Sequence, residues 1–246
     1  MAELRVGTSG WHYPHWKGVF YPEGLRGGEW LPFYASRFDT VEINNSFYRL
    51  PGREVFSSWA RVAPPGFLFA VKASRYITHM KKLREAEDAL AVFLENSSAL
   101  GDKLGPILFQ LPPRWKRDAA RLAGFTAMLP PEHRYAFEFR EASWLHEETY
   151  RVLEERGIAL CIADSPSFPR SRRVTAPFAF LRFHGGTVLY GSRYSRQELR
   201  GWASFARSLL ERGIDVYAYF NNDAHGYALE DAALFRELAG GEPPRP

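Results

Sequence analysis

Two periodicities alternate along this chain. Short runs that are apolar throughout or at every second position occur at LRVGTSG (4–10), TVEI opening TVEINNSFYR (40–49), FLFAVKAS (67–74), PILFQLPP (106–113), RYAFEFR (134–140), IALCIAD (158–164), FAFLRFHGG (178–186) and IDVYAYFNND (214–223). Each has the length and spacing of a β-strand. The segments between them carry apolar residues at helical spacing: Trp30, Phe33 and Tyr34 in 28–38, Val55, Trp59 and Val62 in 53–63, and Leu122, Phe125 and Leu129 in 118–129. Leu83, Ala86, Leu90, Phe93, Leu94 and Leu100 predict the longest helix, over 79–100. Ser143 as N-cap and Gly157 as stop bound a helix over 143–157. Ser195 and Glu198 form a capping box ahead of Leu199, Trp202, Phe205 and Leu209, and 224–239 is the last helix. After the sixth strand a basic loop, SPSFPRSRRVTAP, stands where a helix is due.

Strand and helix alternating in this way predict parallel strands. Eight such units in 246 residues fit a single (β/α)8 TIM-type barrel of the α/β class, residues 1–246, with a core of about 4–239 and a frayed tail at 240–246. The alternative, an open doubly wound sheet, lacks its usual glycine-rich phosphate loop after the first strand.

The strands turn polar just before they stop. Taking one face of each gives an inward set of Thr8, Glu42 with Asn44, Lys72, Gln110, Glu138 with Arg140, Asp164, Arg182 with His184, and Asn221. In a barrel the carboxyl ends of the strands form the active site. Glu138 and Glu42 are the general acid/base candidates, and Glu138→Gln is expected to remove activity while leaving the fold intact. Lys72 offers a charge toward an oxyanion, or a Schiff base if desolvated, and Asp164 completes the catalytic set. Arg182, His184, Gly185, Gly186 and Asn221 read as an anion subsite with bare glycine amides, and Asn44, Gln110 and Arg140 as further substrate contacts. The competing reading is a self-satisfied layer of three carboxylates against three cations.

A net charge of +4 suits an anionic partner, most simply a small phosphorylated or carboxylated molecule. Nucleic acid is the second candidate partner, helped by Arg170, Arg172 and Arg173 and by an aromatic loop with Trp11, Tyr13, Trp16, Phe20 and Tyr21 that either walls a pocket or plugs the barrel. No organic cofactor is expected. Glu42, Glu138, Asp164 and His184 could hold one divalent metal, but no recognised ligand spacing supports it. The lone cysteine, Cys161, reads as core. Without a signal core or an apolar stretch near the roughly 18 residues of a membrane span, a cytoplasmic protein with no membrane partner is expected.

Taken together, GTSGWHYPHWKGVFYP, DTVEINNSFYRLP, FAVKASRYITH, LGPILFQLPP, YAFEFREASW, FLRFHGG and DVYAYFNND resemble, in that order, the signature blocks of the YecE-like domain of unknown function 72 family. The resemblance runs from about residue 5 to about 238. It implies a TIM-type barrel and a shared pocket, but no established reaction. The residues themselves favour an enzyme acting by acid–base chemistry on a small anionic substrate. A nuclease-like barrel of the apurinic-endonuclease or xylose-isomerase type and a non-catalytic metabolite-binding barrel are the alternatives.

Overall fold

Each apolar run becomes a strand in the computed structural model, which describes residues 2–241. The strands are β1 (Leu4–Thr8), β2 (Thr40–Ile43), β3 (Leu68–Lys72), β4 (Leu104–Gln110), β5 (Tyr135–Glu138), β6 (Ala159–Asp164), β7 (Phe178–Phe183) and β8 (Asp215–Phe220). They form one parallel sheet in the order β1-β8-β7-β6-β5-β4-β3-β2. Helices α1 (Trp30–Ala35), α2 (Arg53–Val62), α3 (Glu87–Ser97), α4 (Ala119–Ala127), α5 (Glu147–Glu154), α6 (Arg196–Leu210) and α7 (Tyr227–Leu238) surround it. The link from β6 to β7 is the expected loop without a helix. The expected tail, 240–246, lies mostly outside the described residues.

The strand alternation divides the core in two. Ala70, Leu108, Ala136, Ala159, Cys161, Phe178, Phe180, Tyr217 and Tyr219 fill the barrel interior. Small residues come from β3, β5 and β6, and the aromatics of β7 and β8 occupy the space these leave. The intervening residues, such as Val41, Phe69, Phe109, Phe137, Leu181 and Phe220, face the helices in a second cluster. Both layers are apolar, so burial of apolar area is what holds strand to helix.

The first and last strands of the sheet, β1 and β2, meet at a seam with no ladder between them. Tyr34 of α1 closes it from outside. Its hydroxyl accepts from the Thr8 amide at 2.9 Å and lies 3.2 Å from the Thr40 carbonyl, to which it donates. Thr8 therefore points outward to Tyr34 rather than into the barrel, correcting the inward placement expected of it. Gly7 makes the approach possible: a Cβ there would stand 2.1 Å from the Thr40 carbonyl oxygen.

Three local expectations are corrected. The long helix over 79–100 breaks into a π-helical turn at Tyr76–Met80 and α3, because Lys82, Leu83 and Glu85 all take positive φ between them. Val55 and Val62 of α2 are exposed, while Phe56 is buried in the core and Trp59 packs against it. Helix α5 is N-capped by His146, whose Nδ1 accepts from the Glu148 amide, while Ser143 belongs to a 3-10 turn. The Ser195–Glu198 capping box and the Gly157 stop form as expected.

Gly7→Ala should destabilise the protein by about 3 kcal/mol, the upper range of overpacking, because the atom it meets is backbone of the facing strand. Urea denaturation followed by circular dichroism measures this, and a change below ~1 kcal/mol would show that the seam can open without cost.

Candidate active site

Arg182 lies in the barrel axis just above the apolar interior and is fully buried. Its guanidinium reaches Glu42 of β2 at 2.7 Å and Glu138 of β5 through a shorter contact. Arg140, two residues beyond Glu138, donates from Nε to the other Glu138 oxygen at 2.7 Å. His184 completes the cluster. The Asn221 amide nitrogen is 3.2 Å from its Nδ1 and Glu138 Oε2 is 3.4 Å from its Nε2. With the amide donating to Nδ1, the ring proton sits on Nε2 and faces the carboxylate.

Burial alone would raise Glu138. The guanidiniums of Arg182 and Arg140, with His184, outweigh it and hold the carboxyl well below the usual carboxylate range. Burial, aided by Arg182, lowers His184 to about 4, so its imidazole is neutral. Glu138 is thus a permanent anion with its oxygens engaged. The acid/base role expected of Glu138 and Glu42 does not match this geometry, which makes them the two arms of a clamp on Arg182.

The anion subsite expected around Arg182 is not formed either. Both ends of the guanidinium are taken, and His184 is fully buried. The Gly185 amide donates to the Tyr194 hydroxyl at 3.0 Å, and a Cβ on Gly186 would stand 2.7 Å from Glu198 Oε1. These glycines let the following loop pack against α6. Asp164, alternating with the inward residues of β6, faces outward, with Trp202 Nε1 at 3.2 Å and Arg170 at 2.8 Å. Glu42, Glu138, Asp164 and His184 therefore do not converge on one metal position. Arg172 lies over Trp202 and Arg173 pairs with Glu154, so the three arginines of that loop are divided among separate partners.

Above the clamp opens a cleft of 820 Å³ whose lining includes Asn44, Lys72, Gln110, Arg140 and Asn221. Those five predicted residues do come together. Lys72 is buried at its floor, with Nζ 4.0 Å from the centre of the Phe47 ring. Among the described residues Nζ has no hydrogen bond and no carboxylate in ion-pair range, since Glu42 and Glu138 are held by Arg182. Burial first, then the charge of Arg182, lowers Lys72 to about 7. Burial and the nearby Lys72, Arg140 and Arg75 likewise lower His79, on the same wall, to about 4. Glu42 and Glu138 pair with Arg182 and Arg140, while Arg75 on the cleft wall has no carboxylate in ion-pair range among the described residues.

His15, Asp223 and Tyr190, which form another wall of the cleft, are not among the residues expected at the site. Asp223 accepts from Trp16 Nε1 at 3.0 Å and lies 3.0 Å from His15 Nε2. Burial raises Asp223 to about 6 against these two contacts. The NND ending of β8 was the available signal, but its partners lie more than two hundred positions away. Of the aromatic loop, Tyr13 and His15 face the cleft, while Trp16 and Tyr21 are buried against α1. The loop both walls the pocket and plugs the fold.

Glu138→Gln should destabilise the protein by about 3–5 kcal/mol, because it leaves the buried Arg182 with half its counter-charge. This replaces the expectation of an intact fold, and an unchanged urea midpoint would refute the clamp.

Residues 5–246 match the family described as Protein of unknown function DUF72. The UPF0759 protein YunF of Bacillus subtilis is 28% identical over 269 residues, covering 96% of this chain and 94% of its own. The UPF0759 protein YecE of Escherichia coli K12 is 31% identical over 168 residues, covering 66% of this chain and 59% of its own. A crystal structure of a DUF72 family protein from Thermotoga maritima superposes with a TM-score of 0.87 at 30% identity, covering 97% of this chain and 99% of that one. One from Enterococcus faecalis shares the fold, with a TM-score of 0.84 at 22% identity over 99% of this chain and 98% of that one. A family match that spans residues 5–246 and a barrel shared with solved members place the chain in the DUF72 family.

Proposed function

We propose that the protein is an enzyme that moves a proton on a small phosphorylated or carboxylated substrate bound in the cleft at the carboxyl ends of the strands. Lys72 is the proton acceptor in this reading. Arg140 and Arg75 hold the anionic group, and Asn44, Gln110 and Asn221 offer hydrogen bonds around it. Glu42 and Glu138 keep Arg182 in place and shape the field. They do not exchange protons with substrate.

The observation that supports this is the state of Lys72. A lysine that titrates near neutrality is a competent base, whereas an ion-paired lysine is not. Its lack of a protein partner, in a cleft also lined by Arg140 and Arg75, favours an anionic ligand too.

The test is competitive acylation with acetic anhydride, read at each lysine by peptide mass spectrometry. Reactivity of Lys72 should rise through a midpoint of about 7, against the ordinary lysine value of 10.5. Inorganic phosphate should slow it, and Arg140→Gln should abolish that protection. A midpoint near 10 or no protection by phosphate would remove the proposal. Stability carries the same signature. The folded state binds the Lys72 proton less tightly than the unfolded chain, so this residue makes stability rise with pH from about 7 to 10.5. Lys72→Met should flatten that rise and stabilise the protein below neutrality, as urea midpoints across that range would show.

A further inference from the structure

Lys72 combines two properties that proton transfer alone does not require. It is buried against an aromatic ring, and the inward carboxylates Glu42 and Glu138 are paired with Arg182. An amine of this kind has a lone pair with nothing to donate it to inside the protein, on the floor of a cavity roomy enough for a metabolite. The same cavity presents Arg140 and Arg75 for an anionic group. On its far wall, His15 and Asp223 stand in contact, pinned by Trp16. The cleft thus holds a nucleophile, an anion anchor and a proton-carrying pair, which together suit a carbonyl substrate.

We propose that Lys72 forms an imine with a small aldehyde or ketone that carries a phosphate or carboxylate group. The proposal rests on the anion-binding reading of the cleft and names its substrate class. In the first step the Nζ lone pair adds to the carbonyl carbon, the C=O π pair moves to oxygen, and that oxygen takes a proton while nitrogen loses one. In the second, the carbinolamine C–O bond breaks as the His15–Asp223 pair protonates the departing hydroxyl, and the nitrogen lone pair closes the C=N bond. One water leaves, no electrons are gained or lost overall, and no other reactant is needed. The protonated imine then acidifies the adjacent C–H, which is where a proton-transfer enzyme would use it.

The test uses the intact protein at about pH 7.5, where Lys72 is largely neutral, with glycolaldehyde phosphate, glyoxylate or uncharged glycolaldehyde at about 1 mM, a typical upper substrate level. Sodium borohydride then reduces any imine to a stable secondary amine, located by peptide mapping. Expected is an adduct at Lys72, formed by one of the charged probes about tenfold faster than by glycolaldehyde, the factor one charge-assisted contact supplies. Whichever probe labels faster distinguishes phosphate from carboxylate. Arg140→Gln should remove the advantage of the charged probe. Lys72→Arg and Lys72→Met should give no adduct at that position, and circular dichroism verifies their folding. The decisive reading is made on the unmutated protein. Labelling of Lys72 no faster than of Lys81 and Lys82, while phosphate still slows its acylation, would overturn the imine and leave the proton-transfer reading standing. Equal labelling by glycolaldehyde would overturn the anionic substrate class. Loss of both phosphate protection and labelling would overturn the two proposals together.

Discussion

Arg182 joins three strands that are not neighbours. Its guanidinium bridges Glu42 of β2 and Glu138 of β5 from its own place on β7, across the interior of the barrel. Removing these charges from water costs several kcal/mol for each ion, and only close geometry with further contacts compensates. Arg140 supplies one such contact and His184 another. The compensation is incomplete, since Glu42 Oε2 and Arg182 Nε have no partner among the described residues. A layer of leucine and valine would stabilise the fold at least as well. What the clamp provides instead is a fixed field under the cleft and two carboxylates withheld from Lys72.

Those pairings leave Lys72 without an ion-pair partner among the described residues. Burial and the charge of Arg182 outweigh the opposing pull of Glu42 and Glu138 on the lysine and favour the neutral amine. The anions that look catalytic in the sequence are taken up by Arg182, and in the proposed reading Lys72, which looks merely electrostatic, is the reactive group. The opposing wall contributes a carboxyl shifted the other way, in Asp223. Pairs of groups moved apart in this manner characterise acid–base sites.

The barrel was legible because each strand and helix announces itself within ten or fifteen residues. The strand ends were legible for the same reason: alternation places Glu42, Lys72, Gln110, Glu138, Arg182 and His184 on one face without knowledge of any neighbour. Which of them meet was not legible. Thr8 and Asp164 were assigned to the wrong face because the alternation was counted from the strand tip rather than from the interior residues, Gly7 and Ala163, that precede them. The division of labour between clamp and cleft depends on pairings over 44 and 140 positions, for which a single sequence holds no local signal. His15 failed to register because it sits in a loop whose path depends on Trp16 packing against Tyr34.

The spacing of the clamp along the chain also bears on biosynthesis. A ribosome that has released β1 to β6 has delivered both carboxylates, and the arginine that satisfies them has yet to emerge. Until it does, Glu42 and Glu138 have only Arg140 and Lys72 as cations on the strands already made, and the pairing that spans the barrel interior cannot form. Arrival of β7 supplies Arg182, and the remaining strand then completes the sheet at β1. The ion pairs across the interior are therefore among the last contacts that synthesis makes available, so they favour closure of the complete sheet over closure of a partial one.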